Sequence, residues 1–120
     1  MHEASRQPDP DVLDLDALEE LADQLDDGFG GLVDRFRRRL EETPTAIRAA
    51  CAADERVELI REAHSLKSVA ATFGAVAVAR TSAELEAAGV DAPQVALEEL
   101  VERLGRDCAA AGEALRRAGI

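Results

Sequence analysis

The chain has 120 residues, 25 of them acidic and 14 basic, for a formal net charge of −11. Apolar residues make up 47% and aromatic residues only 2%, with neither Trp nor Tyr. Length and apolar fraction allow one domain with a modest core and exclude a disordered chain. The acidity and the lack of stacking rings exclude a reader of nucleic acids.

The charge is unevenly spread. Residues 1–28 hold ten acids and one base, whereas residues 29–64 hold seven of each. Thirteen of the basic residues are Arg, and Lys67 is the only Lys. The first 11 residues, with Pro8 and Pro10 among polar residues, read as a flexible tail that includes His2. They lack the basic-then-apolar order of a signal peptide, and no apolar run is long enough to span a membrane. A cytoplasmic location is expected. Cys51 and Cys108 have no CxxC spacing, lie on apolar stripes and read as buried thiols of a reducing compartment.

From residue 12 onward the pattern is helical. A short first helix runs from about Leu15 to Asp26, with Asp14 as its N-cap and Leu18, Leu21 and Leu25 as its stripe. Asp27-Gly28 ends it. The second helix begins near Phe29 and repeats Val33, Phe36, Leu40, Thr43, Ile47 and Ala50 in four-three spacing. Because the stripe keeps its phase across Pro44, one bent helix is favoured over two. Arg35, Arg37, Arg38 and Arg39 lie next to Glu41 and Glu42 and read as intrahelical pairs.

The third helix is expected from Asp54, as N-cap, with the stripe Leu59, Ala63, Leu66, Ala70 and Phe73. The fourth carries Val78, Thr81, Leu85 and Ala88 and stops at Gly89. Asp91-Ala92-Pro93-Gln94 opens the fifth as an acidic cap, a first-turn Pro and a capping-box Gln. Its stripe is Leu97, Val101, Leu104, Cys108, Ala111 and Leu115. Four long amphipathic helices with short loops predict an all-α, antiparallel up-down four-helix bundle over residues 12–120. The first helix is the short addition at its N-terminal end.

His64 sits about 140° around the third helix from the centre of the apolar stripe and so faces solvent. Val57, Ile60, Ser68 and Ala71 surround it, and Lys67 follows one turn later. This patch is small and apolar where an ordinary exposed face would carry Glu and Arg. No acid or Ser stands at a spacing that completes a triad, and no further His, Glu or Cys spacing makes a metal site. What remains is an imidazole that takes a group and passes it on, with the partner supplying the machinery. A phosphoryl group fits, because a lysine one turn away pairs with its oxygens.

Ala63-His64-Ser65-Leu66-Lys67-Ser68, then Thr72-Phe73-Gly74-Ala75, then Leu85-Glu86, resembles the signature of histidine-containing phosphotransfer (HPt) domains. That pattern is A-H-x-L-K-[GS], a G-A about ten residues after the His, and an L-E ending the next helix. Leu32 and Phe36 before Pro44 fit it as well. The resemblance implies that His64 is phosphorylated through Nε2 and that Lys67 stabilises the phosphoryl group. It implies a docking face of Val57, Ile60, Arg61, Ser68 and Ala71, with Gly74 permitting close helix approach. Ser68 stands where many members have Gly and keeps the side chain short.

The implied partners are receiver domains of response regulators or hybrid kinases, which bring the acceptor Asp and a Mg²⁺ ion. A histidine kinase acting directly on His64 is a further candidate partner. No cofactor of the chain's own, no metal, no nucleic acid and no membrane are expected. Gly28-Phe29-Gly30-Gly31 lacks the Lys-Ser/Thr of a P-loop, so the expected role is a phosphocarrier and not an enzyme. The alternative is a non-catalytic bundle that docks on a receiver or kinase and sequesters it.

Overall fold

Each apolar repeat closes into a helix close to where the sequence puts it. The computed structural model describes residues 8–120. Its helices are α1 (Leu15–Leu25), α2 (Phe29–Ala52), α3 (Arg56–Thr72), α4 (Val76–Ala88) and α5 (Gln94–Arg117), with a 3-10 turn over Asp26–Gly28. There is no strand among the described residues. Each of α2 to α5 packs on the next, and α5 closes on α2. Connections of three, three and five residues allow only antiparallel neighbours. The fold is thus the four-helix bundle with its short leading helix. None of the described helices is long and apolar enough to cross a membrane.

The core follows the four-three stripes. Val33, Phe36, Leu40 and Ile47 of α2 meet Leu59, Ala63, Leu66 and Ala70 of α3, all at most 5% exposed. Val78 and Leu85 of α4 and Leu97, Leu104 and Leu115 of α5 complete it. Pro44 is buried inside α2, which continues through it as one helix. Cys51 and Cys108 are buried free thiols.

The entry of the chain is stitched to the α3–α4 turn. The Asp14 carboxylate caps α1 by accepting from the Ala17 N–H at 3.1 Å. The Asp14 N–H donates to the Gly74 carbonyl at 2.7 Å, and the Val76 N–H donates to that of Val12 at 3.1 Å. Gly74 has φ +71°, and a Cβ there would lie 2.8 Å from the Asp14 carbonyl oxygen. Only glycine meets both conditions cheaply. Upstream, Asp9 closes a turn by accepting from the N–H groups of Val12 and Leu13. The tail reading of residues 1–7, with His2, lies outside the described residues.

Three local expectations differ. Asp54 is not the cap of α3: it adopts φ +55°, and Glu55 takes the cap position without a side-chain bond. The Asp54 carboxylate instead meets Arg56 at 3.4 Å. Pro93, not Asp91, occupies the cap of α5, and Gln94 donates across the bundle to the Cys51 carbonyl at 3.0 Å. Finally, the α2 arginines form no ion pair with Glu41 or Glu42 among the described residues. Arg39 donates to Thr43 Oγ1 at 3.2 Å and to Ser65 Oγ at 3.0 Å.

Candidate functional site

The buried Leu59, Ala63, Leu66 and Ala70 fix the rotation of α3 and leave His64 on its outer side, with 61% of its side chain exposed. On α4, buried Leu85 does the same for its neighbour Glu86, which turns toward α3. The result joins three side chains from two helices. Glu86 Oε2 lies 2.8 Å from His64 Nδ1, and Lys67 Nζ donates to Glu86 Oε1 at 2.7 Å. One carboxylate thus bridges the imidazole and the only ammonium side chain in the sequence.

The bridge sets the chemistry of the ring. An ionised carboxylate only accepts hydrogen bonds, so Nδ1 must carry the proton and donate it to Glu86. The Nε2 lone pair is then left free on the solvent side. The hydrogen bond from Lys67, followed by that from His64, holds the Glu86 carboxyl below its ordinary value of 4.5. It therefore stays an acceptor at neutral pH. Positive charge developing on the ring during attack by Nε2 would face this carboxylate.

One expectation changes here. An acid does orient His64, although none stands at a suitable spacing on α3; it comes from α4, 22 residues away. Lys67 stands on the same face as His64, with its ammonium held by Glu86 and its side chain 36% exposed.

The rest of the face is mostly open. Val57 is 74% exposed. Ser68 and Ala71 are exposed, and exposed Arg61 donates to Glu58 at 2.8 Å. Ser68 makes its polar contact through its carbonyl, which accepts from Thr72 Oγ1 at 3.1 Å, and not to the His64 ring. Ile60 departs from the open patch: it is half-buried, and its Cγ1 fills the space where Gly89 would carry a Cβ. Arg56 ties the same corner by donating to the Gly89 carbonyl at 3.4 Å. Among the described residues, no group of three His, Cys, Asp or Glu side chains is placed to hold a metal.

A helical bundle that holds one oriented, solvent-facing imidazole beside an ammonium has the parts that a group-carrying module needs. The family model described as "Hpt domain" matches residues 31–114, and the chain is a member of that family. The match spans α3 and α4 and so includes His64, Lys67 and Glu86. No curated protein and no solved structure matched the chain. Members of the family are phosphocarriers of two-component phosphorelays, and they interact with receiver domains.

Proposed function

We propose that this chain accepts a phosphoryl group on His64 from a receiver aspartate and passes it to the aspartate of another receiver. The observation that carries this reading is the Glu86 carboxylate on Nδ1, which leaves Nε2 as the nucleophile. The Nε2 lone pair attacks phosphorus, a P–N bond forms, and the P–O bond to the aspartate breaks. The donor leaves as a carboxylate. The ring carries the resulting positive charge against Glu86, and its Nδ1 proton stays hydrogen-bonded there. Lys67 exchanges Glu86 for the phosphoryl oxygens. The receiving aspartate then runs the same step in reverse.

The exposed side chains Val57, Arg61, Ser68 and Ala71 form the surface on which the partner rests, with half-buried Ile60 at its edge. The Mg²⁺ ion belongs to the receiver. Two free thiols suit the reducing cytoplasm in which such relays run.

The test is incubation of the purified chain with receivers labelled on their aspartyl phosphate. An acid-labile, base-stable label on His64, absent from His64→Gln, is expected. No label from any receiver, or equal label on His64→Gln, overturns the reading.

A further inference from the structure

The side of the bundle away from His64 carries a groove of about 820 Å³ between α2 and α5. Buried Leu40, Pro44 and Cys108 form its floor. On the α5 wall, Gly105, exposed Ala109 and Gly112 follow one another at four and three residues. Gly is the least favourable helix residue after Pro. Packing within the chain requires neither glycine. A Cβ at Gly112 would meet nothing within 4 Å, and one at Gly105 only Arg48 Nη2 at 3.5 Å. The groove is therefore open to close approach by a helix from outside.

The charges along its two walls are matched in order. Arg48 on α2 stands 3.5 Å from Glu102 on α5. The two helices run antiparallel, so eleven residues back along α2 and eleven forward along α5 cover the same three turns, about 16.5 Å. These steps end at Arg37 and Glu113. Between the two levels, Glu41 and Arg106 are offset by about 4.5 Å along the axis, within reach of two long side chains. Thus α2 carries Arg37, Glu41 and Arg48, and α5 opposes them with Glu113, Arg106 and Glu102. Within one chain only the Arg48–Glu102 pair closes. Arg37, Glu41 and Arg106 form no ion pair among the described residues, and Glu113 holds Arg116 and Arg117.

We propose that this face binds a second copy of the chain about a two-fold axis that runs along the groove. Such an axis lays α2 of each copy over α5 of the other with the levels unchanged. Arg37, Glu41 and Arg48 of one copy then meet Glu113, Arg106 and Glu102 of the other, and the reverse. A two-fold contact needs a patch that complements itself, and this order of charges supplies one. Charge also selects the occupant. A copy of net charge −11 is repelled by acidic surface, whereas this groove is lined by four Arg against three Glu. With 24 residues each, α2 and α5 present a face of about 36 Å by about 20 Å, close to the about 800 Å² per partner of a standard interface. Because α3 and α4 lie on the opposite side, both His64 faces stay open in the dimer and point away from each other.

The test reads mass and does not depend on the carrier reading. In sedimentation equilibrium the full chain should pass from 12.8 kDa toward twice that mass between about 10 µM and about 1 mM. Glu41→Arg and Arg106→Glu, both at exposed positions, should each raise the dimer Kd about tenfold or more. The double variant Glu41→Arg/Arg106→Glu should restore it, because the exchanged charges meet again across the axis. Gly112→Leu should block close approach and leave a monomer of unchanged helix content. A wild-type chain that stays at 12.8 kDa up to about 1 mM overturns the proposal. A dimer whose Kd is unchanged in either charge variant, or is not restored by the exchange, overturns it as well. Should Gly112→Leu fail to fold, Ala109→Leu at the exposed position beside it carries the same comparison.

Discussion

A carboxylate with one oxygen on an imidazole and the other on an ammonium constrains both groups. At Glu86 it fixes the tautomer of His64 and holds the Lys67 ammonium beside the imidazole. Glu86→Ala should leave the bundle folded but slow transfer to His64. Hydrogen bonds to charged groups are stronger than neutral ones, so a loss of roughly tenfold or more is expected. Rapid-quench transfer from a phosphorylated receiver measures it. Lys67→Ala should slow transfer too, while the Glu86 carboxylate, freed of one donor, keeps its bond to Nδ1.

The pH dependence has a definite sign. The Glu86 carboxyl is held below 4.5 in the folded chain. Its contribution to stability is therefore complete above its unfolded value and is lost as pH falls through the lower folded one. A urea-denaturation series below pH 4.5 should accordingly be shallower for Glu86→Gln than for wild type.

At the scale of the elements, the α3–α4 turn is the tightest junction. Gly74→Ala would combine a left-handed backbone with a Cβ 2.8 Å from the Asp14 carbonyl oxygen. A loss of about 2 kcal/mol in urea denaturation is expected. The thiol in the middle of α5 gives a second check. Burial, with Asp107 adding to it, pushes Cys108 up to about 12 from 9.0. Its contribution is complete below the unfolded value and is lost as pH rises from 9.0 toward the folded one. Cys108→Ala should cost about 1 kcal/mol at neutral pH and flatten the alkaline decline.

The helices were legible because a four-three stripe needs no knowledge of partners: every stripe from Val33 to Leu115 turns inward. The failures fall where local signals compete with geometry between elements. Asp54 is a good cap by type, yet its left-handed φ ends the α2–α3 loop, and the helix begins after it. Gln94 has the right spacing for a capping box but finds the Cys51 carbonyl across the bundle. His64 and Lys67 lie on one helix, so their proximity could be counted along the chain. The role of Glu86 could not, because it depends on how α4 is rotated against α3, although the Leu85-Glu86 pair was the visible trace of it.

At the scale of the whole molecule, the site sits on the outside of two helices whose inner faces are already full. Leu66 and Leu85, each adjacent in sequence to a site residue, are fully buried. Phosphorylation of His64, as proposed, would therefore add charge at the surface and exchange one partner of Lys67, with no core contact to break. On the far side of the bundle, α2 packs against α5 and closes the ring. A carrier built this way should present the same backbone in both states, so that its phosphorylated form is recognised through the phosphoryl group and not through a change of shape. Labelling with phosphoramidate followed by amide hydrogen exchange checks this directly. Protection should change only near His64 on α3 and Glu86 on α4, while the core amides of α2 and α5 exchange at unaltered rates. Altered protection across α2 or α5 would instead mean that the phosphoryl group drives a conformational switch.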